Sequence, residues 1–111
     1  MSVTNCDKLA AKKTYLSIFR SADEFKVRNT SNSFLKHAIR KMLYKNNLVL
    51  QEIADIERAL FGTEKGHSTV HHSVFVVINN ESIRNYYMQV ETLFTRFRRE
   101  ALSRLQNPKS Q

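Results

Sequence analysis

The sequence predicts an all-α fold. Three observations carry that expectation. Turn formers are scarce, with Gly 2 and Pro 1 in 111 residues, whereas a many-stranded protein needs a turn every ten residues or so. Apolar residues recur with helical rather than alternating spacing along most of the chain. The stretch from Glu81 to about Leu105 keeps an apolar seam without meeting a breaker. A bundle of four to five helices ending in a long C-terminal helix follows.

Residues 1–7 carry no periodic pattern and are expected to be a disordered N-terminus. From Lys8, Leu9, Leu16 and Phe19 share a helical face, with Tyr15 beside it. Ser21 and Glu24 have capping-box spacing and open a further helical turn that carries Phe25. The polar run Lys26–Ser33 reads as a loop holding Lys26 and Arg28. A helix from about Ser33 places Phe34, Leu35, Ile39, Met42 and Leu43 on one stripe, with Lys36, Arg40 and Lys41 around the remainder. Lys45-Asn46-Asn47 breaks it.

Leu48–Phe61 forms the next helix, with Leu50, Ile53, Ile56 and Leu60 inward and Glu57 outward. Both glycines then fall in Gly62-Thr63-Glu64-Lys65-Gly66, the sharpest turn in the chain. A helix follows from His67 to about Ile78, burying Val70, Val74 and Val77. The β-branched run Ser73–Ile78 makes a strand the competing reading. Asn79 or Asn80 caps the last helix. Its seam, Ile83, Tyr87, Val90, Phe94, Phe97 and Ala101, alternates steps of four and three. That seam either closes the chain's own core or pairs with a second copy as a homodimer. Residues 8–105 make one helical domain, and 106–111 a flexible tail.

Composition bounds the function. Hydrophobic residues make up 41%, a folding composition. A chain this short has room for one modest core and none for an ATPase or second lobe. Lys+Arg 18 against Asp+Glu 10 leaves a net charge of +8, which points to a polyanionic partner. The longest apolar run, Val74–Ile78, falls far short of the ~20 residues of a membrane span. No signal-peptide core opens the chain, and the lone Cys6 suits a reducing compartment. A cytoplasmic, nucleoid-associated protein without cofactor, membrane or small-molecule partner is expected.

The segment Leu48–Ile78 has helix-turn-helix organisation, in which a second helix enters the major groove. Ser68, Thr69, His71, His72 and Ser73 are short or planar and rich in donors and acceptors, as contacts to base edges and phosphates require. The helix start favours phosphate. The bland alternative is a helical hairpin with a solvated polar face. Gly62–Thr69 is no phosphate-binding P-loop: three residues separate the glycines where that motif has four, and His67 replaces its lysine. His67, His71 and His72 lack nearby partners at metal-ligand spacing. Cys6 lacks a fixed environment for nucleophilic catalysis.

The stretch LQEIADIERALFGTEKGHSTVHHSV resembles the C-terminal DNA-binding domain, domain IV, of the bacterial replication initiator DnaA. Leu50-Gln51-Glu52-Ile53-Ala54 match that family's bracing helix, Phe61-Gly62 its turn, and His67–Ser73 its recognition-helix signature. The resemblance implies DNA contacts from His67, Ser68, Thr69 and His72. It also implies a contact at the major-groove edge near Arg40 and Lys41 and one in the minor groove near Arg28; Lys65, at the turn, is expected to contact the backbone. The family's Arg-Asp before the histidine is here Lys65-Gly66. The expected function is sequence-specific binding of double-stranded DNA without catalysis, in replication or transcription control. About five neutralised phosphates would give log K against log salt a slope of roughly −4 to −5. The alternative is a basic interaction module docking on an acidic partner or on a replication initiator, for which Arg96, Arg98 and Arg99 would matter most.

Overall fold

The structure, a computed structural model, describes residues 3–106. Its elements in chain order are α1 (Val3–Ile18), α2 (Ala22–Lys26), α3 (Thr30–Lys45), α4 (Leu50–Phe61), α5 (His67–His71), a π-helical turn π1 (His72–Val76), and α6 (Glu81–Gln106). The fold is all-α; no strand occurs among the described residues. The helix count exceeds the expected four to five because α2 stands as a separate turn.

Local chemistry explains the boundaries. Ser21 Oγ accepts the Glu24 N–H at 3.2 Å, while the Glu24 carboxylate accepts the Arg20 N–H at 2.7 Å. Asn29 Oδ1 accepts the Asn32 N–H at 2.8 Å, so α3 begins inside the polar run expected to be a loop. Asn32 Nδ2 also donates to the carbonyls of Glu24 and Val27, which ties α2 and its following loop to α3. Glu52 accepts the Val49 N–H at 3.0 Å and pairs with Lys8 at 3.1 Å. That backbone bond, aided by Lys8, holds its carboxyl below the usual range. Asn80 Oδ1 caps α6 through the Ile83 N–H at 2.8 Å.

The helix α6 packs along α1 and α3, and α4 closes the other side against α1, α2 and α3. Ile83, Val90, Phe94 and Ala101 of the α6 seam are buried in the chain's own core, with Tyr87 and Phe97 half-buried. The seam therefore helps close the chain's own core. Opposite it lie Ala38, Ile39, Met42 and Leu43 of α3. Each fully buried large apolar side chain contributes about 1.5–3 kcal/mol.

An aromatic cluster joins three helices and the α1–α2 link. Phe25 stacks on Phe61 with centroids 4.3 Å apart, and Phe19 meets Phe25 edge-on at 5.1 Å. Tyr15 touches both Phe25 and Phe61 edge-on. Such pairs add about 0.5–1.5 kcal/mol each beyond burial.

The first helix departs most from expectation. It starts at Val3, so residues 3–7 are helical, and Cys6 is buried. Its inward stripe runs Cys6, Ala10, Thr14 with Ala11 and Tyr15 beside it, whereas Leu16 is exposed. Small residues make that face, and a search for large apolar residues passes over it. Arg98 Nε donates to Asp7 at 2.6 Å and fastens the early turns of α1 to α6. The expected tail beyond Gln106 lies outside the described residues, as do residues 1–2. Among the described residues no helix is long and apolar enough to cross a membrane.

Candidate functional site

The turn after α4 is built by one glycine. Gly62 adopts φ 64°, in the left-handed region, and donates its N–H to Arg58 O at 2.9 Å. Buried Thr63 accepts the Lys65 N–H at 3.2 Å, which orders the turn and leaves Lys65 exposed. Gly66 accepts the Thr69 N–H at 3.1 Å, and α5 begins. The helix expected as far as Ile78 is regular only to His71. It then widens into π1, where the Val77 N–H reaches back to His72 O at 3.0 Å. Lys41 Nζ donates to the carbonyls of Val74 and Val77, at 3.2 and 2.8 Å, and so holds the end of π1. Single π turns inside helices concentrate at functional sites.

A buried polar network sets where this segment lies. Arg40 of α3 makes a two-pronged contact with Glu57 of α4: Nε to Oε2 and Nη2 to Oε1, both 2.7 Å. Tyr15 of α1 donates to Glu57 Oε2 at 2.5 Å. Arg40 Nη1 donates to Ser73 Oγ in π1 at 2.9 Å. Ser73 Oγ lies 2.9 Å from His37 Nδ1; with Arg40 donating to that oxygen, the hydroxyl proton turns to the imidazole. Burial, then the charges of Arg40, His72, Lys41 and Lys36, hold His37 down to about 4, so its Nδ1 stays free to accept. Burial and the Glu57 charge push the Tyr15 phenol well above its ordinary value, which keeps it a donor.

The network corrects the expected roles of Arg40 and Glu57. Arg40 is buried and committed to Glu57 and Ser73; it is no surface contact. Glu57, expected outward, is its buried partner. Lys41 is likewise engaged with two carbonyls and is half-buried.

Beside the network opens a groove of about 870 Å³. The α2–α3 loop, the first half of α3, the Gly62–Lys65 turn and the α5–π1 segment form its walls. Arg28, Lys65, Thr69 and His72 meet there, joined by Lys26 and Lys36. Glu64 is the acidic residue among those lining it. Arg28, Lys65 and His72 are exposed, and Thr69 is half-buried. His67 and Ser68 are exposed at the start of α5, outside the groove lining. Lys36 Nζ sits 4.4 Å over the Phe25 ring. Burial, then the charge of Arg40, holds Lys36 below the usual lysine range; Glu57 opposes them, and Lys65 and Arg28 add weaker pushes in the same direction as Arg40. A cation held down by neighbouring cations is relieved by a bound anion.

Sequence reasoning missed Lys36 and His37 as members of this region, and it read Ser73 as groove-facing where the side chain is buried in the network. For Lys36 a signal existed, because it precedes Arg40 by one helical turn on α3. Ser73 carried none that separates a buried hydroxyl from a base-contacting one. On the outer flank of α5, His67, His71 and Phe75 form a ladder, with centroids 6.3 and 4.9 Å apart. Among the described residues no three His, Cys, Asp or Glu side chains come together as a metal site. Arg98 and Arg96 of α6 lie on another face, engaged with Asp7 and the Phe97 ring.

Compared with family models, curated proteins and solved structures, the chain matches none.

Proposed function

We propose that this chain binds double-stranded DNA through the α4–turn–α5 unit, as a binding module with no catalytic step. The observation that carries the reading is the groove: Lys26, Arg28, Lys36 and Lys65 converge beside the polar side chains of Thr69 and His72. A phosphate strand in the groove would lay the adjoining base edges against α5. Ser68, Thr69 and His72 then contact bases or groove-edge phosphates, His67 grips phosphate at the start of α5, and Lys65 holds the backbone at the turn. Arg28, on its loop, is the residue suited to a narrow minor groove. Arg40 acts at one remove, as the positioning residue that fixes π1 against α3 and α4.

The likeness to DnaA domain IV supports the same assignment, since its signature residues His67–Ser73 make up α5 and the opening of π1. Lys65-Gly66 stands where that family has Arg-Asp, so a different target sequence follows. The direct test is selection from a random duplex pool at moderate salt. An enriched motif is expected, and Thr69→Ala should blur it at one position. Retention with no motif would reduce the chain to a shape or charge binder. No retention would refute the reading.

A further inference from the structure

A second hollow lies on the other side of the same segment. It has a volume of about 580 Å³ and opens between α3, π1 and α6. Its lining is apolar where the groove is polar: Tyr44, Phe75, Ile83, Tyr87 and Met88. Phe75 is 54% exposed and Met88 69%. Ile78, just past π1, is 85% exposed. Clustered apolar exposure of this kind marks an interaction surface.

The rim states what kind of partner fits. Lys45 and Arg84 are exposed on it, and no carboxylate lines the hollow. Lys45 Nζ lies 5.7 Å over the Tyr87 ring, so a cation stands directly above the apolar wall. Lys41, the third cation of the lining, is engaged with the carbonyls of π1 and helps shape the hollow.

We infer that this cleft docks an amphipathic helix of a partner protein, with apolar anchors entering the cleft and acidic residues flanking them. Apolar anchors at i, i+3/i+4 and i+7 are the spacing by which such a helix fills a groove. Flanking carboxylates meet Lys45 and Arg84. A second copy of this chain fits poorly, because each copy carries a net charge of +8. A DNA duplex would satisfy the two cations and leave Phe75 and Met88 against a phosphate backbone that gains nothing from them. The cleft and the groove share π1, Phe75 lining one and Ser73 the other, so the docked helix would sit beside the proposed DNA face. This inference stands whether or not the chain binds DNA.

Two synthetic acetylated helical peptides test it. Both carry leucine at i, i+3, i+4 and i+7; one has glutamates at the flanking positions and the other lysines. Binding is followed by fluorescence anisotropy and by the NMR shift of the Met88 methyl. The glutamate peptide is expected to bind at least tenfold tighter than the lysine peptide and to move the Met88 methyl. The K45E/R84E variant should invert that preference, and M88E should weaken the glutamate peptide in the otherwise unchanged chain. These residues are exposed, and circular dichroism verifies that each variant folds. Equal binding of both peptides, no binding of either, or a Met88 methyl that stays still would overturn the inference. So would glutamate-peptide binding indifferent to K45E/R84E, or a 20-base-pair duplex that displaces the peptide while moving Met88.

Discussion

Two hollows flank one short segment, and they differ in nearly every respect. The groove between α5, π1 and the first half of α3 is cationic and polar. The cleft between π1 and α6 is apolar with a cationic rim. Their common wall is π1, where Ser73 turns into the network behind the groove and Phe75 lines the cleft. A regular helix repeats its faces every 3.6 residues. The π turn widens that repeat, held by Lys41 at its end and by Arg40 through Ser73. The comparison teaches that one buried charge pair, Arg40–Glu57, underlies both surfaces.

The largest expected effect breaks both hollows together. Arg40→Ala leaves Glu57 buried without its cation and should cost about 3–5 kcal/mol in urea unfolding. Replacing the pair with Arg40→Met and Glu57→Leu should recover much of that stability. DNA affinity should stay reduced, because Ser73 still lacks its donor. Full recovery of both would show that the pair is structural filling with no positioning role.

Charge reversal separates the two hollows. R28E/K65E should weaken DNA binding by more than tenfold and leave the glutamate peptide's affinity for the cleft within twofold. Both residues are exposed, so stability should stay within about 0.5 kcal/mol. Equal loss at both hollows would mean that general positive charge, not the groove, does the binding. A finer cut lies within the groove. Thr69→Ala should cost about 1–3 kcal/mol at one base pair while binding to random duplex holds steady. If Thr69→Ala and K65A reduced all sequences alike, the division between base contact and backbone contact would be wrong.

Gly62→Ala tests the turn that sets α5 against α4. Nothing lies within 4 Å of the added Cβ, so only the left-handed backbone resists it. A cost of about 1–2 kcal/mol in thermal or urea unfolding is expected.

Acid acts on the same network through His37. His37 is held down to about 4 against an ordinary 6.5. The folded chain therefore binds fewer protons at this site than the unfolded one. The contribution is complete above about 6.5 and is lost as pH falls from 6.5 towards 4. The His37 ring shifts should titrate near the lower value. A midpoint near 6.5 would mean that burial and the neighbouring cations, Arg40 first among them, do not act on the imidazole.

Much of the fold was legible because helices announce themselves locally. The Asn80 cap, the Ser21 turn carrying Phe25, the glycine turn and the α6 seam all follow from short-range spacing. What escaped depends on distant partners. Glu57 reads as an outward residue until Arg40, on another helix, is known to face it. Arg40 and Arg28 look alike in sequence, yet one is buried in a network and the other lines the groove. Cys6 and Ala10 form a core stripe too small to register as hydrophobic periodicity, and Leu16 registered falsely. In the candidate site, the turn and the polar helix start were legible. The π turn, which needs Lys41 and Ser73 in their places, was not.

The central claim is that phosphates are held by the groove cations. Because Glu57 neutralises Arg40, four remain: Lys26, Arg28, Lys36 and Lys65. Duplex affinity measured by anisotropy across a salt series should therefore fall with a slope near −3.6, since each neutralised phosphate contributes about −0.9. In R28A/K65A the slope should shrink to about −1.8. A flat response in the unaltered chain, or a slope that R28A/K65A leaves unchanged, would contradict the account.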